Sequence, residues 1–235
     1  MNLLSAFRRL LRNRSGVAMT EFALGAPLLL TAGLWGTEEA NYALVNLKIS
    51  QLAVHMADNA SRVGDTSTLQ NRKVYEGDIN DVIYGAELQA GPLELFEHGR
   101  VTISSLEVTT PPAGGEGNQY IHWQRCRGAA KYDSSFGKEG DGLVKAIDGM
   151  GQPGQEVYAQ PGEAVIFVEL VYDYQPMISA RFIPVHSIHA IAAFTVRDKR
   201  DLAQLYQRDP ADPDQVQSCS SYRGTPEVSS TGKIT

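Results

Sequence analysis

Apolar and polar positions change pattern three times along the chain. Residues 17–37 are apolar on every face, with Glu21 as the only charge. At a helical rise of about 1.5 Å per residue the segment spans roughly 30 Å, the thickness of a bilayer's hydrocarbon core. From Val45 the pattern narrows to a stripe: Val45, Ile49, Leu52, Met56 and Val63, at spacings of 4, 3, 4 and 7. That spacing places them on one helix face, with Lys48, Gln51, His55, Asp58 and Asn59 off it. Gly64 is a fitting stop. The predicted helix, 17–63, is about 70 Å long at the standard rise.

Beyond it the helical signal fades. Val82, Ile83, Ala86 and Leu88 could form a helix within 75–95, but Gly77, Gly85 and Gly91 weaken it. Strand patterns follow at 101–109 and 120–126, separated by Pro111-Pro112 and Gly114-Gly115. Residues 128–162 read as irregular, broken by glycines from Gly128 to Gly162. So long a loop is unusual in a compact domain, and a helical turn at 143–148 would relieve it. Two strong strands come next, 163–174 and 187–197, joined as a long hairpin through 176–184. From Arg208 apolar residues are sparse, and such a tail is poorly ordered unless Cys219 ties it down. The fold class is therefore α+β: a long N-terminal helix with an apolar and an amphipathic half, then a small antiparallel β-sheet head. The expected divisions are a basic leader 1–16, the helix 17–64, an α+β head 65–198 and a tail 199–235.

Composition and charge sharpen this. The 235 residues are 43% hydrophobic and 20% charged, as for a globular chain with a core. The formal charge of −6 argues against a general nucleic-acid binder. It hides an asymmetry: 1–16 holds Arg8, Arg9, Arg12 and Arg14 and no acid. Those arginines predict a cytoplasmic N-terminus, with 38–235 on the periplasmic side, and Glu38 and Glu39 at the far end agree. A cleavable signal peptide fits less well, because its apolar region is normally 7–15 residues long and Glu21 sits badly in it. A plain signal anchor leaves Glu21 unexplained, although a carboxylate near a membrane is costly and usually has a partner or a function. Pro27 should kink the helix, and Gly25, Gly33 and Gly36 would allow another helix to approach closely.

The string Arg14-Ser15-Gly16-Val17-Ala18-Met19-Thr20-Glu21-Phe22, a basic leader, a glycine, four residues, a glutamate and an aromatic before an apolar helix, resembles the processing site of type IV pilin-like proteins. Glu-Phe after a short basic leader most resembles the TadE-like minor pseudopilins of the tight-adherence (Tad) pilus system. The segment 165–176, an apolar run with Glu169 followed by Tyr172-Asp173-Tyr174-Gln175-Pro176, and the closing strand 190–197 resemble the same family. The likeness covers about residues 8–65 and 163–197, and does not extend through 66–162 beyond Trp123 and Cys126. It implies cleavage by a prepilin peptidase after Gly16, with Val17 as the mature N-terminus. It gives Glu21 and Phe22 a role in assembly, with the Val17 amine as the nearest partner for the Glu21 carboxylate. It also implies a single-pass inner-membrane protein whose partners are the peptidase, other Tad pseudopilins and the pilus assembly platform. Tip, shaft and assembly machine are all compatible locations.

Other chemistry is sparse. Two cysteines exclude a disulfide-rich scaffold and a four-cysteine metal site. Both lie outside the membrane by the topology above, and an oxidising periplasm favours a Cys126–Cys219 disulfide over two thiols. His186 and His189, three apart on a strand, point to opposite faces, so a shared metal is not expected. No metalloprotease, nucleophile-elbow or phosphate-loop motif occurs. Glu169 within its apolar strand has three readings: facing solvent, the commonest, pairing with a base such as Arg181, or marking an interaction face. The expectation is a structural subunit, not an enzyme, with no cofactor and no metal. The alternatives are a signal-anchored periplasmic enzyme or sensor and an exported adhesin-like binding protein. The mature N-terminus separates them: Val17, Met1, or a residue beyond about Ala26.

Overall fold

The computed structural model describes residues 15–65, 71–110, 117–178 and 186–235. The leader arginines, the loop at 111–115 and Arg181 lie outside them. The fold is α+β, a long N-terminal helix followed by a four-stranded antiparallel sheet. The chain forms two compact units, Met1–Leu44 with Pro176–Pro184, and Val45–Gln175 with Val185–Thr235.

Helix α1, Ser15–Arg62, contributes to both. In the first unit it is apolar all round, and none of its most hydrophobic window is buried. Pro27 lies inside the helix without ending it. The hydroxyls of Thr31 and Thr37 donate to the carbonyls of Pro27 and Gly33 at 2.7 and 2.6 Å, so these polar groups are satisfied on the helix itself. In the second unit α1 buries the expected stripe of Val45, Ile49, Leu52 and Met56, thickened by Ala53, Ala57 and Ala60. Val63 falls just past the helix end and is half-buried.

Helix α2, Glu76–Ala90, forms in spite of its glycines. Asp78 accepts the Tyr75 backbone N–H at 3.0 Å, closing the first turn. Ile79, Val82, Ile83 and Ala86 supply a buried face, while Leu88 is exposed. A 3-10 turn at Gly91–Leu93 and the short α3, Leu95–His98, lead into the sheet.

The strands are β1 Gly99–Val108, β2 Gln119–Arg127, β3 Val165–Asp173 and β4 Ser187–Thr195, in the order β2-β1-β3-β4. Register puts Val101 and Ile103 beside Leu170 and Val168, on the face that also carries Arg125 and Tyr172. Helix α2 covers this face: Arg125 pairs with Glu76 at 2.5 Å, and the Tyr172 hydroxyl donates to the Leu93 carbonyl at 2.9 Å. His55 on α1 meets Gln89 on α2 at 3.0 Å, so the helices are neighbours.

Among the described residues no helix covers the opposite face. The irregular stretch 128–162 does so instead, and its length is accounted for by a core of its own. Leu106, Ile121, Val165 and Phe167 from the sheet are buried with Met150 and Ala159, and Phe136, Ile147 and Val157 pack against them. The helical turn expected at 143–148 is not formed. Residues 143–145 are bends and 146–148 are irregular, and Val144 is 98% exposed. Gly142, at a φ of 98°, presses against the Gln119 carbonyl where a side chain would collide.

The C-terminal segment is tied down, and by more than the cysteine expected to do so. The tail beyond 199 belongs to the same compact unit as the sheet. Its ties go well past the Cys126–Cys219 disulfide that the structure contains. The Cys126 and Gly128 backbone N–H groups donate to the carbonyls of Gln217 and Arg223, both at 2.8 Å. Farther along β2, Ile121 exchanges bonds with Gly140 and Asp141, so the outer edge of β2 is covered by chain from two directions. The start of the tail is bound independently, through Arg72 with Lys199 and Asp201, and Val74 and Glu76 with Tyr206.

The two anchorages should separate on reduction. The disulfide closes 93 residues, worth at most about 4–5 kcal/mol by loop entropy. Cys126→Ala with Cys219→Ala should lower stability by up to that amount in urea unfolding of the full chain in detergent. Trypsin should then cut after the exposed Arg223 well before the buried Arg200. Equal susceptibility at both sites would show that the tail depends on the disulfide alone.

Candidate processing and assembly segment

Gly16 and Val17 lie in α1, at the N-terminal end of its described residues. Glycine lowers the stability of a helical segment by about 1 kcal/mol relative to alanine. Nothing lies within 4 Å of the position a Gly16 side chain would take, so the surrounding structure does not require glycine there. The Thr20 hydroxyl donates to the Val17 carbonyl at 2.8 Å. Glu21 follows Val17 by four, which places it on the same helix face as the Val17 nitrogen. It is exposed and makes no hydrogen bond or ion pair among the described residues. Phe22 is 71% exposed, and Met19, Leu24, Leu28, Leu29 and Leu30 are exposed with it. The segment is long and apolar enough to cross a membrane.

At its far end is a residue whose role was not anticipated. Glu38 is 3% exposed. Its two carboxylate oxygens accept the backbone N–H groups of Met177 and Ile178 at 3.2 and 3.1 Å. The signal was present in the spacing: Glu38 precedes Val45 by seven and so extends the buried stripe.

The head holds polar clusters that periodicity did not reveal. A bulge between Ser105 and Leu106 leaves His122 as an extra residue in β2. Its Nδ1 lies 2.8 Å from Oε2 of the buried Glu107, and the Ser105 hydroxyl donates to Oε1 at 2.7 Å. The carboxylate stands between the other two groups, so the imidazole bonds to Glu107 and not to the serine hydroxyl. Glu169 does not face solvent. Both its oxygens accept the Ser135 backbone N–H at 3.1 Å, which pins the covering loop to β3.

Three arginines are nearly fully buried: Arg100, Arg127 and Arg200. Arg100 donates to the carbonyls of Gly128, Ser221 and Cys219 and stacks on the Tyr222 ring at 4.1 Å. Arg127 donates to Gly224 and Thr225, and Arg200 to Ala60 and Val63 at the end of α1. No side-chain carboxylate pairs with any of the three among the described residues. Burial lowers the pKa of all three, that of Arg200 to about 10. A cavity of about 600 Å³ is lined by Arg100, Gln124, Tyr132, Asp133, Lys138 and Tyr222. Arg100 there is engaged with carbonyls, Lys138 with Asp133 at 3.4 Å, and Arg125, which also lines it, with Glu76 and Glu139. Among the described residues no group of three or more His, Cys, Asp or Glu is placed to hold a metal. Comparison with protein-family models, curated proteins and solved structures finds no match to this chain.

The Glu107–His122 pair makes the head's stability depend on pH. The hydrogen bond to Glu107 raises the His122 pKa above its ordinary value, while burial works in the opposite direction. A raised folded-state pKa gives a contribution that is complete below the unfolded value of about 6.5 and lost as pH rises through the folded value. His122→Gln keeps a donor for Glu107 but does not titrate. The wild-type advantage over it in thermal unfolding should be larger at about pH 5.5 than at about pH 9. A difference that does not vary with pH would remove the ion pair.

Proposed function

We propose that the chain is a TadE-like minor pseudopilin, a non-enzymatic structural subunit of a Tad-type pilus system. It is matured by prepilin peptidase after Gly16 and associates with other pilin-like subunits and the assembly platform at the bacterial inner membrane. The observation that carries the reading is the long helix that includes Gly16 and Val17. It leaves its apolar first half uncovered and buries one stripe of its second half in the head. An apolar surface on this scale needs lipid or other apolar helices around it. The helix would satisfy its backbone in either setting, in the membrane before assembly and against neighbouring subunits after it. The leader arginines support a cytoplasmic N-terminus and a periplasmic head, and the Cys126–Cys219 disulfide suits that compartment.

The roles of Gly16 and Glu21 separate in experiment. The mature protein should begin at Val17 on N-terminal sequencing. Gly16→Val should leave the leader attached, because a protease cleft for an extended chain is obstructed by the added side chain. Glu21→Ala should still be cleaved and inserted, yet fail to restore pili or to co-purify with partner pseudopilins. A reporter active only in the periplasm, fused after Thr235, should be active. A mature terminus at Met1 would favour an anchored enzyme or sensor, and one beyond Ala26 an exported binding protein. Normal pili with Glu21→Ala would make that carboxylate a tolerated interfacial charge.

A further inference from the structure

We propose that Met177 and Ile178 form a second membrane contact beside the helix, an apolar tip that Glu38 holds in the interface of the bilayer. The inference rests on residues 17–37 being a membrane span. On that reading Glu38 is the first residue past the hydrocarbon boundary. A carboxylate there could extend into water, yet this one is buried and grips two successive backbone N–H groups, one with each oxygen. The grip fixes main chain, not side chains, and keeps Met177 and Ile178 within one side chain and one hydrogen bond of the helix.

Two consequences make the tip suited to lipid. The N–H groups of residues 177 and 178 are satisfied by a charged acceptor, so lowering the local dielectric leaves no orphan donor on them. The side chains remain free to point outward: Met177 is 68% exposed and Ile178 39%. Leu34 and Trp35 precede Glu38 by four and three residues, share its helix face and are also exposed. Tryptophan is the residue enriched where hydrocarbon meets headgroups. Apolar surface on the helix therefore continues onto the tip at the same level. A partner for this surface need only be apolar on one side and wet on the other, which describes the bilayer interface.

The test uses the full chain with its disulfide intact, so that an introduced cysteine is the only free thiol. Met177→Cys, Leu29→Cys and Val144→Cys are each labelled with a nitrobenzoxadiazole fluorophore. The proteins are reconstituted in vesicles of phosphatidylethanolamine and phosphatidylglycerol carrying a shallow nitroxide lipid. The label at 177 should be blue-shifted and quenched at least threefold more than at 144. Glu38→Ala should reduce quenching at 177 to the level at 144 without changing that at 29, and Glu38→Gln, which keeps one acceptor oxygen, should fall between. A label at 177 as aqueous as that at 144, with 29 in lipid, overturns the proposal and leaves the span standing. An aqueous label at 29 overturns both. Unchanged quenching at 177 with Glu38→Ala removes Glu38 from the role assigned to it.

Discussion

Irregular backbone can be buried only if its carbonyls find donors, and three arginines provide them for much of the head. Helices and sheets satisfy their own main chain, but 128–162 and the segment after 199 do not. Arg100, Arg127 and Arg200 each reach at least two carbonyls of such chain or of the α1 terminus. Guanidinium suits the task, since it offers five donors in a planar fork and is more weakly hydrated than an ammonium. Burial without a carboxylate partner costs several kcal/mol per ion before compensation. Charge-assisted bonds contribute roughly 1.5–3 kcal/mol each, so two or three per arginine offset most of that cost. What results is specificity: a guanidinium accepts one arrangement of these carbonyls. The disulfide adds a covalent limit at Cys126, next to the strand edge that the tail covers.

The first half of α1 faces the same requirement. Its main chain is satisfied internally by the helix, and its threonine hydroxyls turn back onto helix carbonyls. Pro27 can be carried because removing one N–H leaves only one carbonyl short of its usual donor. Glu38 marks where this economy ends. The first buried charge after the apolar run serves loop backbone, as the arginines do with opposite polarity.

How much of this could be read from the residues follows from how each contact repeats. The helix and the four strands were legible because burial on a regular element recurs every 3.6 or 2 residues. The stripe from Val45 to Met56 was placed correctly, and the strand ends were right to within about two residues. Helix α2 was ambiguous because glycine counts against it locally, while the burial of Ile79, Val82 and Ile83 that overrides this is tertiary. Of the ties on the tail only Cys219 was legible, because arginine-to-carbonyl bonds have no period and sparse apolar residues say nothing of polar ties. Glu169 was misjudged for a related reason. Its partner is a main-chain N–H, which every residue carries and no sequence distinguishes. Of the candidate site, Gly16, Glu21 and Phe22 were legible as a local motif. Glu38 was legible only by extending a stripe across a change in composition.

The spacing of Val17 and Glu21 bears on why a carboxylate would stand four residues past the proposed cleavage site. In the uncut chain the Val17 nitrogen is a neutral amide and gives a nearby carboxylate no charge to pair with. Cleavage on the proposed reading turns that nitrogen into an ammonium at the N-terminus of a helix. The macrodipole there is already positive, equivalent to about half an elementary charge, so the new charge is disfavoured. A carboxylate at i+4 lies over the same turn and offsets both the ammonium and the dipole, most effectively where solvent does not screen it. On that reading Glu21 is a poor fit to lipid before processing and a well-matched one after it. Its cost then depends on the state of the chain, which would give the uncut and mature forms different tendencies to leave the bilayer edge and pack against neighbours without any change in the fold of the head.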